Sequence, residues 1–280
     1  MRRTAALSLL ALVSLILAAS ARADGVDSEE GPPVDVRPGL LRVLAQHEET
    51  IRNAPGRSGI LSEKKLYSLF DEELIIRDFF QDRKGGFFLD VGCAWPIDAN
   101  NTYYLEHHLG WTGIGIDALD DYAVGWHEKR SNSKFFAHLV SDRSGGTGTF
   151  FKSPNSGLSS TDRDLASGRG FGDDLKPEQV EIPKITLDDL LDREGVDRID
   201  LLSLDIEGAE PEALAGFDIE RFRPELVVVE GNDPVVTKYF DQHGYKQIQR
   251  YIPFDPINRY FERQGWAERT WRWLAGEPSE

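Results

Sequence analysis

The chain has 280 residues, 48 acidic and 32 basic, for a formal net charge of -16. Such a chain lacks the overall basic footprint that nucleic-acid binding draws on, and the same sign disfavours adsorption to an anionic membrane surface. Hydrophobic residues make up 40% and charged residues 29%, a composition typical of soluble globular proteins, and the length suits one large or two small domains. Cys93 is the single cysteine, which excludes an intrachain disulfide and a cysteine-rich structural zinc site.

Met1-Arg2-Arg3 is a basic start, Ala5 to Ala19 an apolar run, and Ala21-Arg22-Ala23 a small-x-small cleavage pattern. This is the layout of a secretory signal peptide over residues 1–23. The run is short for a membrane span, so no stable span is expected once it is removed. An uncleaved anchor and a misassigned start are the alternatives, the second leaving the protein cytoplasmic. No cysteine follows the run, so the lipoprotein reading fails. Residues 24–61 read as an acidic, Pro- and Gly-rich linker with a short amphipathic helix through Leu40, Leu44, His47 and Ile51. Ser62 to Phe80 reads as a better helix, with Ser62 as N-cap and Leu66, Leu69, Phe70, Leu74 and Phe79 as its apolar stripe.

From Gly86 the chain alternates short apolar runs with helical stretches. The expected strands are Phe87–Val91, Gly113–Asp117, Phe135–Val140, Thr147–Phe151, Ile199–Leu204, Leu226–Val229 and Tyr245–Ile252. The expected helices are Tyr103–His108, Tyr122–Lys129, Leu187–Arg193, Pro211–Ala215 and Pro234–Gln242. This is an α/β pattern, a mostly parallel central sheet with helices on both faces, over residues 62–255. Residues 256–280 read as a C-terminal extension, in which Trp266 and Trp273 can share a helix face. Packing onto the domain, or contact with a membrane or partner, would use that face.

Such sheets bind ligands at the carboxyl ends of their strands. The first strand ends in Asp90-Val91-Gly92, where a glycine lets backbone approach a ligand closely. The second ends in Asp117, placed to accept both hydroxyls of a ribose; a tight turn and a surface carboxylate would look the same. Another ends in Leu204-Asp205-Ile206-Glu207, and two carboxylates at a strand tip can hold a metal, position a hydroxyl or act as a general base. They do not specify a metal. Equally, Glu207 and Glu210 would favour a helix N-terminus.

Three blocks of sequence resemble the FkbM-type methyltransferases, a branch of the class I S-adenosylmethionine-dependent enzymes. The first is Phe87-Phe88-Leu89-Asp90-Val91-Gly92-Cys93-Ala94-Trp95-Pro96, continuing through Asn101-Thr102-Tyr103 and Gly110-Trp111-Thr112-Gly113 to Asp117. The second is Val140-Ser141-Asp142. The third, and most specific, runs from Ile185-Thr186-Leu187-Asp188-Asp189-Leu190 through Asp200-Leu201-Leu202-Ser203-Leu204-Asp205-Ile206-Glu207-Gly208-Ala209-Glu210 to Arg223-Pro224-Glu225-Leu226-Val227-Val228-Val229-Glu230. The resemblance implies a Rossmann-like class I methyltransferase fold and S-adenosylmethionine as cofactor. It places Asp90 and Gly92 beside the cofactor's amino-acid end, counts Asn101 among the cofactor-binding residues, gives Asp117 the ribose and Asp142 the neighbourhood of the adenine. Asp205 and Glu207 would face the transferred methyl and the acceptor. Cys93-Ala94-Trp95-Pro96 departs from the fuller glycine loop, and Trp95 is bulky enough to narrow the site.

His107 and His108 read as packed or solvated helix residues and His138 as structural. Ser153 to Lys184 reads as a lid, a binding loop or a surface excursion, with Gly157-Leu158-Ser159-Ser160 near the acceptor and Arg163 and Arg169 placed to meet an anion. The expected activity is methyl transfer to oxygen of a small or glycan-like acceptor. The alternatives are an exported, non-catalytic binding protein and an NAD(P)-dependent oxidoreductase. A signal peptide and a cytosolic cofactor conflict, unless the start is misassigned, the compartment is supplied with cofactor, or catalysis has been lost. Asn100-Asn101-Thr102 is a glycosylation sequon at the predicted site, so an active lumenal enzyme would leave it unmodified.

Overall fold

In the computed structural model, residues 67–255 and 257–265 are described. The signal-peptide, linker and short-helix readings, Ser62 and Leu66, and the tryptophans from Trp266 onward lie outside these residues.

The sheet is built from apolar runs whose alternate residues feed two cores. β1 (Phe87–Val91), β2 (Thr112–Asp117), β3 (Ser133–Ala137), β7 (Leu201–Leu204) and β8 (Leu226–Glu230) are parallel, and with β9 (Tyr245–Gln247) and β10 (Asn258–Arg263) the full order is β3-β2-β1-β7-β8-β10-β9. Side chains of successive strand residues point to opposite faces. On one face Leu89, Val91, Leu202, Leu204, Val227 and Val229 meet α5 (Leu187–Glu194), α6 (Glu210–Ala215), α7 (Ile219–Phe222) and α8 (Pro234–Gln242). On the other, Phe88, Leu201, Leu226 and Val228 meet α1 (Glu72–Phe80), α2 (Tyr103–Leu109) and Trp111. α3 (Ala123–Lys129) lies against β3 and buries Trp126, and α4 (Arg163–Ala166) is a single turn capped by Asp162, whose carboxylate accepts from the Asp164 and Leu165 N–H groups. The expected α/β architecture is the observed one.

Several boundaries differ from the sequence reading. The first described helix begins at Glu72, because side chains close the preceding bends: Glu73 Oε2 accepts from the Tyr67 N–H at 2.8 Å, Glu72 Oε2 from the Phe70 N–H at 2.7 Å, and Ser68 Oγ from the Glu73 N–H at 3.0 Å. Leu69 and Phe70 thus precede the helix. The third strand divides at His138. Ala137 still pairs with Asp117 in the main sheet, whereas Leu139 and Val140 (β4) pair with β6 (Glu178–Ile185) in a second sheet of order β4-β6-β5. β5 spans Thr147–Lys152 and runs antiparallel to β6. β6 lies in the stretch read as a loop. Pro183 interrupts its alternation, yet sits at the end of the ladder to β5 and just before the ladder to β4, where a missing N–H is tolerated.

Tyr245–Ile252 is strand only over Tyr245–Gln247 (β9), since Gln249–Tyr251 turns into a 3-10 helix whose Tyr251 hydroxyl donates to Asp78 at 2.6 Å. The domain boundary at 255 is corrected as well. Asn258–Arg263 (β10), read as extension, enters the sheet antiparallel between β8 and β9.

Phe240 is fully buried between α8 and the sheet, stacked on Phe261 at 4.5 Å. Phe240→Ala is expected to destabilise the fold by about 3–5 kcal/mol. Val124→Ala, at a position 69% exposed, should stay within about 0.5 kcal/mol. Denaturant unfolding of both variants checks the pair.

Candidate active site

The strand order reverses direction between β1 and β7, so their connections leave on opposite sides and open a crevice above their carboxyl ends. Backbone contact closes its floor. Gly92 has φ +80, and a Cβ there would lie 1.7 Å from the Asp205 carbonyl oxygen, so no side chain fits between the two strand tips. The Asp205 N–H donates to Val91 O at 2.9 Å and the Gly92 N–H to Ile116 O at 2.8 Å. One cavity spans these tips, walled by Gly92, Ala94, Trp95, Asn101, Asp117, Leu119, Tyr122, Leu139, Val140, Phe150, Asp205, Glu207 and Glu230.

Asp117 stands at the tip of β2 with each carboxylate oxygen already anchored: Oδ2 accepts from the Ala94 N–H at 3.1 Å and Oδ1 from the Leu119 N–H at 2.9 Å. Those bonds fix its plane and leave lone pairs for donors in the cavity. Burial pushes its carboxyl up to about 6, against these two backbone bonds; Asp205 and Asp90 add to the rise. Asn101 reaches the cavity with its amide donating to Ser203 Oγ at 3.2 Å.

Asp205 opens to the cavity, yet the protein crowded around it strips enough water to push its carboxyl up to about 6, and Glu210 and Asp90 push the same way. A hydrogen bond from Glu230 at the tip of β8 pulls it back; burial, then the charges of Asp205 and Glu207, and then this same bond hold the Glu230 carboxyl well above the usual range, so Glu230 carries the shared proton. Glu207, on a left-handed backbone with φ +54, is raised by burial and then by Asp205 and Glu210. Oxygens of Asp205, Glu207 and Glu230 all lie within 4.8 Å of one another. The sequence reading found the first two and missed Glu230. Its signal was the same one, an acid closing a buried apolar strand.

Two expected cofactor residues lie elsewhere. Asp90 is buried beneath the crevice instead of lining it, its Oδ2 accepting from Thr102 Oγ1 at 2.8 Å and Asn100 Nδ2 at 3.3 Å. Asp142 is turned outward to Arg143, with contacts of 3.0 and 3.2 Å, so the second strand-end acid of the resemblance stays outside the cavity wall. His138 takes a place on that wall. Its N–H donates to Asp117 O at 2.8 Å, its Nδ1 has no hydrogen-bond partner, and burial followed by the Arg193 charge lowers its pKa, leaving the ring neutral.

The 153–177 arch brings Gly157, Ser159 and Thr161 to the cavity, while Ser160 is buried and donates to the Glu207 carbonyl at 3.0 Å and Leu158 packs inward. Arg169 pairs with Asp164 and Asp174, and neither it nor Arg163 is on the wall. His107 and His108 stack on Tyr103 and Tyr104, away from the cavity. Asn100 of the sequon is buried with its amide bound to Asp90 and to the Cys93 carbonyl, so the folded chain has no room for a glycan there.

A family model described as the methyltransferase FkbM domain matches residues 93–265. The chain belongs to the FkbM methyltransferase family. It is an S-adenosylmethionine-dependent methyltransferase by family, and its Rossmann-like sheet is the one that membership implies. Similar solved structures include a TehB-like SAM-dependent methyltransferase from Corynebacterium glutamicum (13% identity, 79% of this chain and 98% of that one, TM-score 0.38). Others are the Burkholderia thailandensis 1,6-didemethyltoxoflavin-N1-methyltransferase (10%, 85% and 91%, 0.34) and a Bacillus cereus O-methyltransferase (14%, 81% and 91%, 0.32). Comparison with curated proteins gives no match.

The wall of this FkbM cavity suits S-adenosylmethionine in kind. Asp117 offers anchored acceptors for ribose hydroxyls, Leu119, Leu139, Val140 and Phe150 offer apolar surface for a base, and Gly92 leaves the backbone approachable. Gly92→Ala should abolish S-adenosylhomocysteine binding, since its Cβ must displace the Asp205 carbonyl from the cavity floor; unchanged affinity by calorimetry would show that the strand tips are not the binding floor.

Proposed function

We propose that this FkbM methyltransferase methylates an oxygen of a small or glycan-like acceptor, with Asp205 receiving the acceptor's proton. The observation that carries the reading is the convergence of Asp205, Glu207 and Glu230 on the cavity that Gly92, Asn101 and Asp117 also line. S-adenosylmethionine, when bound, supplies a methyl group on an already electrophilic sulfonium. The chain's own work is then to hold an acceptor hydroxyl in line and to take its proton. Asp117 orients the ribose, and Asn101, fixed by Ser203, borders the same space. Asp205 is the ionised member of its pair, since Glu230 holds the proton between them, so Asp205 is the one ready to accept another. Glu207, held on its left-handed turn, orients the acceptor. The Cys93 thiol is kept protonated by burial and by Asp90, which removes it as a nucleophile. Export through residues 1–23 belongs to the same proposal.

Two variants separate the roles. Asp117→Ala should weaken S-adenosylhomocysteine binding at least tenfold. Asp205→Ala should leave that affinity within about threefold but cut methyl transfer by about two to four orders of magnitude, the range of a lost general base. Parent-like behaviour of both variants in binding and in transfer of labelled methyl would overturn the site.

Acid should also weaken donor binding. Ribose hydroxyls are donors and favour the ionised Asp117, whose carboxyl titrates at about 6 in the free protein. Above that pH affinity should be flat. Below it, affinity should fall by up to about tenfold per pH unit as the proton must first leave. Calorimetry of S-adenosylhomocysteine between pH 5 and 8 (on the order of a unit either side of the transition) measures this, and Asp117→Asn should flatten the profile.

A further inference from the structure

The loop after β1 is Cys93-Ala94-Trp95-Pro96, a stretch with side chains where a fuller glycine loop would have none. A loop with side chains cannot rely on glycine's freedom to lie close to a ligand, so something must hold it in shape. The structure shows what does. Arg130, the residue after α3, is fully buried. Its guanidinium spends every nitrogen on or beside that loop: Nη1 donates to Pro96 O and to Asn100 Oδ1, both at 3.0 Å, Nη2 donates to Thr102 Oγ1 at 2.9 Å, and Nε pairs with Glu106 Oε2 at 2.6 Å. It also lies 4.2 Å over the ring of Trp126, whose indole N–H donates to Ala94 O at 2.8 Å. Thr102 and Asn100 pass the restraint on to Asp90.

The loop is therefore gripped at Ala94, Pro96, Asn100 and Thr102. Of the residues between the grips, Trp95, Ala99 and Asn101 are on the cavity wall, as is Ala94 itself, which at φ +40 turns its N–H onto Asp117. We propose that Arg130, acting with Trp126, is the positioning residue of the cofactor-binding loop, replacing by a buried side-chain clamp the backbone fit a glycine loop would provide. Arg130 touches no ligand in this account; it acts through the Ala94 N–H and the Asn101 side chain. A planar five-donor fork is required, because the acceptors lie in different directions and a lysine ammonium reaches them only from a single point.

This inference rests on the reading of the cavity as the S-adenosylmethionine site, and the experiment separates the two. S-adenosylhomocysteine is titrated calorimetrically into the full chain and into its Arg130→Lys, Trp126→Phe and double variants, each first shown to be folded by circular dichroism and a cooperative melt. Arg130→Lys keeps the charge beside Glu106 and loses the fork; Trp126→Phe keeps the ring and loses the bond to Ala94. Each folded single variant should bind at least tenfold (Arg130→Lys) or threefold (Trp126→Phe) more weakly. The double variant should be weaker by less than the product of the two, because both act on one loop. Should Arg130→Lys fail to fold, Trp126→Phe decides alone. Folded variants that bind like the parent overturn the clamp and leave the site standing, for then Arg130 serves stability only. A parent that binds no S-adenosylhomocysteine overturns the site reading, and the clamp with it.

Discussion

Everything at this site depends on the approach of two strand tips that leaves no room for a side chain. Gly92 meets the Asp205 backbone where β1 and β7 splay apart, and the Asp205 N–H is still bonded to Val91. That contact puts the acid of β7 and the acid of β2 on one cavity instead of on two surfaces. Any residue with a Cβ at this point would either part the strands or push the Asp205 carbonyl into the crevice. A positive φ adds a second reason for glycine.

The cavity so formed is electrostatically one-sided. Glu72, Asp117, Asp205, Glu207 and Glu230 line it, and among the described lining residues there is no lysine or arginine. Burial is the main reason the carboxyls of Asp117 and Asp205 rise to about 6 and Glu230 keeps a proton, and the neighbouring acids, which cannot all ionise in a confined, partly dry space, add to it. The neighbouring buried polar cluster is arranged oppositely. There Arg130 and Glu106 compensate each other and the hydroxyl and amide groups of Thr102 and Asn100 are satisfied, so that cluster holds shape while the cavity stays primed to exchange protons.

The parts of the fold that sequence made legible are those buried on both faces. β1, β7 and β8 are continuous apolar runs, and an acid after such a run is conspicuous, as at Asp117 and Asp205. Glu230 obeys the same rule at the end of β8. Asp90 is also an acid near a strand end, but it lies two residues before Gly92, inside β1, where the strand still buries its side chain. Asp142 lies off the cavity wall because the strand before it changes sheets at His138, a switch that hydrophobicity alone does not reveal. β6 and β10 are half-buried strands interrupted by charged residues (Glu178, Glu181 and Lys184; Arg259, Glu262 and Arg263) and, in β6, a proline, so their apolar signal is diluted. The clamp on the loop is invisible in the sequence for a different reason: Arg130 lies 34 positions from Pro96 and 28 from Thr102, and only the folded chain shows that its guanidinium points there.

The place of β10 has a consequence for biosynthesis. It is the last described strand, yet it fills the slot between β8 and β9 and pairs with both. Until residues 258–263 have left the ribosome, β8 presents an unpaired edge and β9 has no strand to join. The nascent domain therefore waits with its most apolar strand, Leu226-Val227-Val228-Val229, open on one side, and an open edge of that kind pairs readily with other chains. Completion of the sheet waits for residues 258–263, and synthesis that stops before Asn258 releases a chain with the other described strands and helices present but with an edge that invites aggregation.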